Sequence, residues 1–133
     1  MTSMFDDVVT FHQEILDVHP VMPTMRSQAW VEERFKFLME EVGEFYTGCK
    51  QGNIVDAADA LADTVYVALG TAYMMGLPWD AIWAAVQRAN MAKVRGTTSR
   101  GNLIDAKKPE GWVGPEKEIA AAILKEIDDA SDN

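Results

Sequence analysis

The sequence predicts an all-α fold. Apolar residues recur at helical spacing over most of the 133-residue chain, capping residues and prolines separate these stretches, and no stretch alternates as a strand would. Hydrophobic residues make up 48 % and charged residues 25 %, which is typical of a folded globular protein. We therefore predict one domain over residues 1–133, a bundle of four to five helices whose core is completed by oligomerisation.

Four helices are predicted before residue 95, over residues 2–18, 27–50, 53–76 and 77–94. The first has Ser3 as a possible N-cap and stops at His19, because Pro20 disfavours helix in the residue before it. Gly52 ends the second helix and Asn53 caps the third. Pro78 suits the first turn of the fourth helix.

A glycine- and proline-rich basic loop is predicted over residues 96–114, followed by a last helix over residues 115–130. Gly96 and Gly101 give this loop freedom to move, because glycine tolerates many backbone conformations.

The charge of the chain is unevenly distributed. Twelve basic and 21 acidic residues give a formal net charge of −9, which argues against a nucleic-acid partner. Residues 88–108 nevertheless carry six basic residues against Asp105 alone. The sequence therefore predicts a basic segment attached to an acidic body.

No segment of the sequence is typical of a secreted or membrane protein. Cys49 is the single cysteine, so it cannot form an internal disulfide, and the first residues lack the basic and apolar regions of a signal peptide. The most apolar stretch, Thr64–Met75, is too short to span a bilayer. We expect a soluble cytoplasmic protein with no membrane partner.

The predicted second helix carries a stripe of carboxylates. Glu40, Glu41 and Glu44 share an arc of about 100° when successive residues are rotated by 100°. Glutamate is a good helix former, so this helix taken alone is more typical of a solvated face.

The predicted third helix carries a second acidic stripe. Asp59 and Asp63 are its only charges between Ala57 and Met75. A helix that is apolar nearly all round is buried, so we expect both aspartates to lie at depth. The opposite face is expected to be core, and consists of Ile54, Ala58, Leu61, Val65, Leu69 and Ala72.

The tight turn at Gly52 makes these two helices antiparallel, which can bring their acidic stripes together. Converging carboxylates repel one another, and each costs several kcal/mol to bury uncompensated. Few basic residues are near enough in the sequence to compensate them. A hard divalent cation with oxygen ligands, Mg²⁺ or Mn²⁺, is the simplest compensation.

The predicted fourth helix adds Asn90 and Lys93. Asn90 is a polar residue on an otherwise apolar face of this helix. Its amide is expected either to lie in the core with a backbone partner or to bind a ligand. Lys93 begins the basic segment and is expected to lie at the mouth of the site. The alternative is an ordinary surface lysine whose aliphatic stem lies along the protein.

These motifs resemble those of the all-α nucleoside triphosphate pyrophosphohydrolases, the MazG-like superfamily. Residues 40–44 (EEVGE) are similar to the EExxE motif of that superfamily, residues 59–67 to its second acidic motif and residues 90–93 to its NxxK. The resemblance covers about residues 28–115, and its motif core spans residues 28–95.

The closest subtype is the phosphoribosyl-ATP pyrophosphohydrolase-like group of phage and bacterial proteins, which have a tail similar to residues 107–112.

One position departs from the family pattern. The second motif usually has a glutamate three residues before its aspartate, and Ala60 stands there. Asp59 is the candidate substitute.

The resemblance implies Mg²⁺-dependent hydrolysis of (deoxy)nucleoside triphosphates between the α- and β-phosphates, in nucleotide-pool house-cleaning or control. It implies that Glu41, Glu44, Asp59 and Asp63 bind the metal. Glu40 is then the general base, although Glu40 and Glu41 could exchange roles. The residues expected to bind substrate or its phosphates are Asn90, Lys93, Arg95, Lys107 and Lys108. The basic loop is expected to close on the triphosphate as a clamp, and the resemblance also implies a homodimer or homotetramer.

Other interpretations remain open at this point. A non-catalytic helical bundle that binds a metal or a protein partner is supported by the departure at Ala60. Phosphoribosyl-ATP is an alternative substrate, although no residue selects it. A di-iron bundle is disfavoured, because neither His12 nor His19 belongs to an ExxH pair.

Overall fold

The computed structural model describes residues 2–100 and 104–132, and the chain divides into two compact units, Met1–Leu77 and Pro78–Asn133. The predicted all-α class is confirmed. The helices are α1 (Met4–Glu14), α2 (Gln28–Lys50), α3 (Ile54–Met74), α4 (Trp79–Met91) and α5 (Glu116–Ser131), and the strands are β1 (Val94–Thr97) and β2 (Ile104–Lys107). No helix in the described part of the chain is long and apolar enough to cross a membrane.

Helix α1 begins as the sequence predicts but ends early. The Ser3 side chain accepts a hydrogen bond from the Asp6 amide, and the Asp6 side chain accepts one from the Ser3 amide. The helix ends at Glu14, four residues before the predicted end, because Asp17 has a left-handed backbone with φ of 53°. The amide of the next residue, Val18, then donates to the His12 carbonyl and closes the turn.

Helices α2 and α3 form an antiparallel hairpin that is the body of the first unit. Gly52 has φ of +67°, which glycine adopts without strain, and the Asn53 side chain caps α3 at the Asp56 amide. A Cβ on Gly48 would lie 2.9 Å from the backbone nitrogen of Ala57. The missing side chain therefore allows the two helices to approach closely beside their turn.

The buried face of α3 differs from the predicted one. Small residues make much of the contact, and its buried residues are Ala57, Ala60, Val67, Leu69, Gly70, Ala72 and Tyr73. Leu61 and Val65, predicted as core, are 49 % and 43 % exposed, and Ile54 is 81 % exposed. The prediction was right for Leu69 and Ala72 and wrong for the rest of that face, because α3 packs mainly through small residues on another side of the helix.

The second unit contains a β-hairpin that the sequence analysis did not predict. Strand β1 pairs antiparallel with β2, from Val94 opposite Lys107 to Thr97 opposite Ile104. Helix α4 therefore stops at Met91, three residues before its predicted end. The hairpin was missed because strands of four residues are too short to show a clear alternation of apolar and polar residues in the sequence. Gly101, which was expected to help the loop close, lies outside the described residues.

Helix α5 packs against α4 in the same unit. The Arg88 side chain on α4 forms an ion pair with Glu118 and donates to the carbonyl oxygens of Val113 and Gly114. These contacts fix the segment that leads into α5, and α5 begins at Glu116, one residue from the predicted start.

Candidate active site

Glu41 lies among the carboxylates of Glu40, Glu44 and Asp63 in the first unit, and we call these four residues the acidic surface. Its Oε2 atom is buried and has no hydrogen-bond partner among the described residues. Burial raises the pKa of Glu41, and the negative charges of Glu44 and Asp63, a hydrogen bond with the Glu44 side chain and the charge of Glu40 raise it further. Of the carboxylates predicted to converge, Glu40, Glu44 and Asp63 act on Glu41, whereas Asp59 is not among them.

The predicted acidic residues divide between two adjacent cavities. Glu40, Glu44 and Asp59 line a cleft of about 490 Å³ between α2 and the start of α3, together with Ala60. Glu41 and Asp63 line a second cavity instead. Glu44 connects the two groups, because it lines the cleft and its charge also acts on Glu41.

The expected depth of the two aspartates is only partly correct. Asp63 is half-buried, but Asp59 is exposed to solvent at the cleft. The expectation failed for Asp59 because its side chain lines the open cleft between α2 and the start of α3. Ala60, which stands where the family has glutamate, is 2 % exposed and packs at the wall of the same cleft.

The second cavity has a volume of about 380 Å³ and a mostly apolar wall. Besides Glu41 and Asp63, its lining consists of Phe11, His12, Leu16, Arg34, Phe37, Tyr66, Val67 and Met74. The rings of Phe11 and Tyr66 meet edge to face, with centroids 5.6 Å apart. This cavity can hold a flat apolar group directly beside the carboxylates.

Arg34 is a polar member of this cavity that the sequence analysis missed. Its Nε donates to the Thr71 hydroxyl at 3.0 Å and its Nη2 to the Val67 carbonyl at 3.1 Å. It makes no ion pair within residues 2–100 and 104–132, and burial lowers the pKa of its guanidinium. A signal was available, because Arg34 is one of few basic residues on α2.

His12 is the second polar group that sequence reasoning did not assign. It is 3 % exposed and lies over Gly70, where a Cβ would come within 2.7 Å of its ring. Its Nδ1 lies 2.8 Å from the Val8 carbonyl, and because a carbonyl only accepts, Nδ1 carries the proton. In the neutral ring Nε2 is then an acceptor at the cavity wall.

The donor set of the acidic surface fits a hard divalent cation. All of its charged groups are carboxylates, and the unpartnered Oε2 of Glu41 is a buried oxygen that a cation would satisfy. Across the residues described, however, no three acidic, histidine or cysteine side chains already lie close enough to hold one ion. The carboxylates would have to rotate towards the ion on binding.

The predicted substrate-binding residues belong to the second unit. Asn90 is exposed near the end of α4, so the interpretation as a core amide is wrong. Lys93 and Lys108 both lie against the ring of Trp112, whereas Lys107 crosses Gly96 on the hairpin. Arg95 is exposed on β1 opposite Ala106.

Comparison with known families identifies the chain. The family model for phosphoribosyl-ATP pyrophosphohydrolase matches residues 8–90, more than half of the chain. That match defines the class as the MazG-like nucleotide pyrophosphohydrolases, and within it the chain belongs to the phosphoribosyl-ATP pyrophosphohydrolase family. A search of curated proteins finds no match. Family membership implies a nucleotide pyrophosphohydrolase activity without fixing the nucleotide.

Proposed function

We propose that this protein is a Mg²⁺-dependent (deoxy)nucleoside triphosphate pyrophosphohydrolase, which cleaves between the α- and β-phosphates and releases a monophosphate and pyrophosphate. One observation carries the proposal. The Oε2 atom of Glu41 is buried without a hydrogen-bond partner among the described residues, and the carboxylates of Glu44, Asp63 and Glu40 all raise the pKa of Glu41. A protein that keeps such repulsion needs a cation there, and a triphosphate supplies a matching anion.

Glu41, Glu44 and Asp63 are the residues that would hold Mg²⁺, with Mn²⁺ as a substitute. Asp59 lines the same cleft as Glu44, so we place it beside these three carboxylates as a fourth residue that would hold the ion. When bound, Mg²⁺ lowers the charge of the phosphate chain and stabilises the pyrophosphate that leaves. Ala60 stands where the family has a glutamate, so Asp59 and Asp63 would be the two carboxylates that α3 contributes.

Glu40 is the proposed general base. It is exposed in the cleft, where water reaches it, and no described hydrogen bond or ion pair occupies it. Its charge is the last of the causes that raise the pKa of Glu41, which suits a carboxylate that orients a water beside the metal ligands and accepts its proton. Glu41 would take this role only if Glu40 bound metal.

The second cavity is the proposed place for the nucleobase. Its aromatic wall suits a flat heterocycle, and it shares Glu41 and Asp63 with the acidic surface. The Arg34 guanidinium offers donors, and the His12 Nε2 offers an acceptor. Two polar groups of opposite hydrogen-bonding type can select between the edges of different bases.

The test is a screen of all ribo- and deoxyribonucleoside triphosphates with Mg²⁺, in which anion exchange separates the products. We expect monophosphate and pyrophosphate, no turnover in EDTA, and a loss of roughly 100-fold or more in kcat/KM for Glu44→Gln, because metal-based charge stabilisation is worth several kcal/mol. Glu32→Gln is the matched control, since Glu32 is an exposed glutamate on the same helix. Nucleoside diphosphate with orthophosphate as products would refute the proposal.

Phosphoribosyl-ATP is the second candidate substrate, and the family match favours it. It belongs in the same screen, because its cleavage also yields pyrophosphate. A higher kcat/KM for phosphoribosyl-ATP than for every free triphosphate would replace the first candidate. Nucleotide binding without any product would instead support the non-catalytic helical bundle.

A further inference from the structure

Arg34 is fixed at the wall of the second cavity, with part of its guanidinium unused. Its Nε donates to the Thr71 hydroxyl and its Nη2 to the Val67 carbonyl. The Thr71 hydroxyl donates to Val67 at 2.7 Å, so it is an acceptor towards Arg34. A guanidinium has five N–H donors. Hydrogen bonds within the described part of the chain use two of them, so three are available to a ligand.

His12 presents one acceptor beside these donors. Its Nδ1 donates to the Val8 carbonyl, which leaves the Nε2 of the neutral ring with a lone pair. A Cβ on Gly70 would lie 2.9 Å from the His12 Nε2 and 3.5 Å from the Arg34 Nη2. Both nitrogen atoms therefore lie close to one point above α3, where neighbouring atoms of a single ligand edge can reach both.

The other polar groups that line this cavity do not change the balance of donors and acceptors. In the proposed function, Glu41 and Asp63 direct their oxygens to the metal ion. The Tyr66 hydroxyl can donate or accept, so it favours neither kind of ligand. The cavity therefore offers a ligand several donors from Arg34 and a single acceptor from His12.

Nucleobases of the same size differ in the edge that they present to such a pair. Uracil, thymine, guanine and hypoxanthine have an oxo group beside a ring N–H, which is a lactam edge, whereas cytosine and adenine have an amino group beside a ring nitrogen. A lactam edge gives Arg34 an oxygen with two lone pairs and gives His12 one N–H. An amino edge brings two N–H groups to one acceptor, so one buried N–H is left unpaired at a cost in binding.

We infer that Arg34 and His12 make the second cavity selective for nucleotides whose base has a lactam edge. The oxo group accepts from Arg34, and the ring N–H donates to the His12 Nε2. The inference rests on the proposed function, because it places the base in this cavity. It favours free triphosphates of these bases over phosphoribosyl-ATP, which is an adenine nucleotide. Arg34 and His12 are specificity-determining residues, because they contact the base and not the reacting phosphate.

The experiment compares monophosphates that differ only in this edge. The full chain is titrated calorimetrically in Mg²⁺ at pH 8, where an ordinary imidazole is neutral. The two matched pairs are deoxyuridine with deoxycytidine monophosphate, and deoxyinosine with deoxyadenosine monophosphate. We expect the lactam member of each pair to bind at least about tenfold more tightly, since the amino member leaves a buried polar group unpaired.

Two variants test the two residues. Arg34→Met removes the donors and leaves the hydrogen bond between Thr71 and Val67 intact. His12→Ala removes the acceptor. In each variant the ratio of the two affinities within a pair should fall to about threefold or less. If His12→Ala does not fold, Arg34→Met decides the question.

Arg26→Met is the matched control. The Arg26 guanidinium lies over the Trp30 ring, 4.6 Å from its centre, and donates to the Met74 carbonyl. This variant makes the same exchange of side chains and should keep the native ratio. A loss of folded protein lowers the amount of binding for both members of a pair equally. A merely structural role for Arg34 would therefore leave the ratio unchanged.

Equal affinities within the pairs overturn the inference, and so does a native ratio in Arg34→Met. Absence of binding by all four monophosphates up to millimolar concentration overturns it as well. Because monophosphates are not hydrolysed in the proposed reaction, this outcome is independent of the hydrolysis assay. Selective binding without triphosphate hydrolysis would contradict the proposed function alone. Hydrolysis without a lactam preference would contradict this inference alone.

Discussion

At the scale of single residues, the acidic surface is organised around Glu41. The sequence shows that five carboxylates share two helix faces, but it does not show which of them is buried. Burial of the Glu41 side chain depends on how α2 packs on α3, and this contact raises its pKa above those of ordinary glutamates. We therefore expect metal binding and stability to be coupled at Glu41.

Glu41 should make the metal-free protein less stable as the pH rises. Its pKa is higher in the folded chain than in the unfolded chain, so the unfolded chain loses its proton first and the free energy of unfolding falls between the two pKa values. In Glu41→Gln the free energy of unfolding should not fall in this way, so the variant should be at least as stable as the native chain at neutral pH in EDTA. Thermal unfolding from pH 4 to pH 8 measures the difference.

Mg²⁺ should reverse that order of stability. Binding to the folded chain stabilises it, so the native chain should gain stability with Mg²⁺ while Glu41→Gln and Asp63→Asn gain less. Glu32→Gln serves as the control and should follow the native chain. A Glu41→Gln protein that is less stable than the native chain in EDTA would show that Glu41 makes a structural contact instead.

Gly70 should be required for the position of His12. A Cβ at Gly70 would lie 2.7 Å from His12 Cε1 and 2.9 Å from its Nε2, so Gly70→Ala must displace the imidazole. We expect lower stability in spite of the gain of up to about 1 kcal/mol in helix propensity, together with a higher KM for the nucleotide.

The double variant Gly70→Ala, His12→Ala provides the control for this prediction. Removal of the imidazole leaves room for the new methyl group, so the cost of Gly70→Ala should be smaller in the His12→Ala background. Equal costs in the two backgrounds, measured by chemical denaturation, would show that the imidazole does not press on Gly70.

At the scale of helices and strands, the α2–α3 hairpin depends on one close contact. Gly43 and Gly48 both lie within α2, but a Cβ on Gly43 would meet no atom within 4 Å, whereas one on Gly48 would meet the Ala57 backbone. Gly43→Ala should therefore stabilise the protein by up to about 1 kcal/mol, and Gly48→Ala should destabilise it. The midpoint of urea unfolding measures both, and a stabilising Gly48→Ala would contradict the close packing.

The helices were largely predictable because their signals are local. Ser27 and Asn53 cap α2 and α3 as their chemistry indicates, and Gly52 ends α2 with a positive φ. The β-hairpin was not predictable, since its strands of four residues depend on pairing between Val94 and Lys107, thirteen positions apart. Long-range pairing of this kind leaves little trace in a single sequence.

The candidate site was predictable in residue type but not in arrangement. The stripes on α2 and α3 indicated which carboxylates converge, because helical periodicity fixes a face. Their division between two cavities, and the positions of His12 and Arg34, depend on where α1 packs on α3. The packing needs a glycine at position 70, because a Cβ there would lie 2.7 Å from His12 Cε1, and the sequence does not show that the imidazole lies over it.

At the scale of the whole molecule, large apolar side chains remain uncovered on the first unit. A stripe at successive turns of α2 is exposed, and it consists of Phe35 (62 %), Met39 (49 %), Val42 (39 %) and Tyr46 (63 %). Leu61 and Val65 on α3 are also exposed, in the face that the sequence predicted to be core. An apolar surface repeated at helical spacing is typical of a subunit interface.

We therefore predict that the chain is a homodimer or homotetramer in solution, joined through this apolar surface. Light scattering at micromolar concentration should give a mass of two or four chains of 14.8 kDa. Phe35→Asp and Leu61→Asp should shift the mass towards the monomer, because each places a charge in an interface that would otherwise be apolar. Glu33→Gln, on the opposite side of α2 from the stripe, should leave the mass unchanged. A monomeric native chain would refute the prediction, because the exposed stripe would then not be covered by a second copy of the chain.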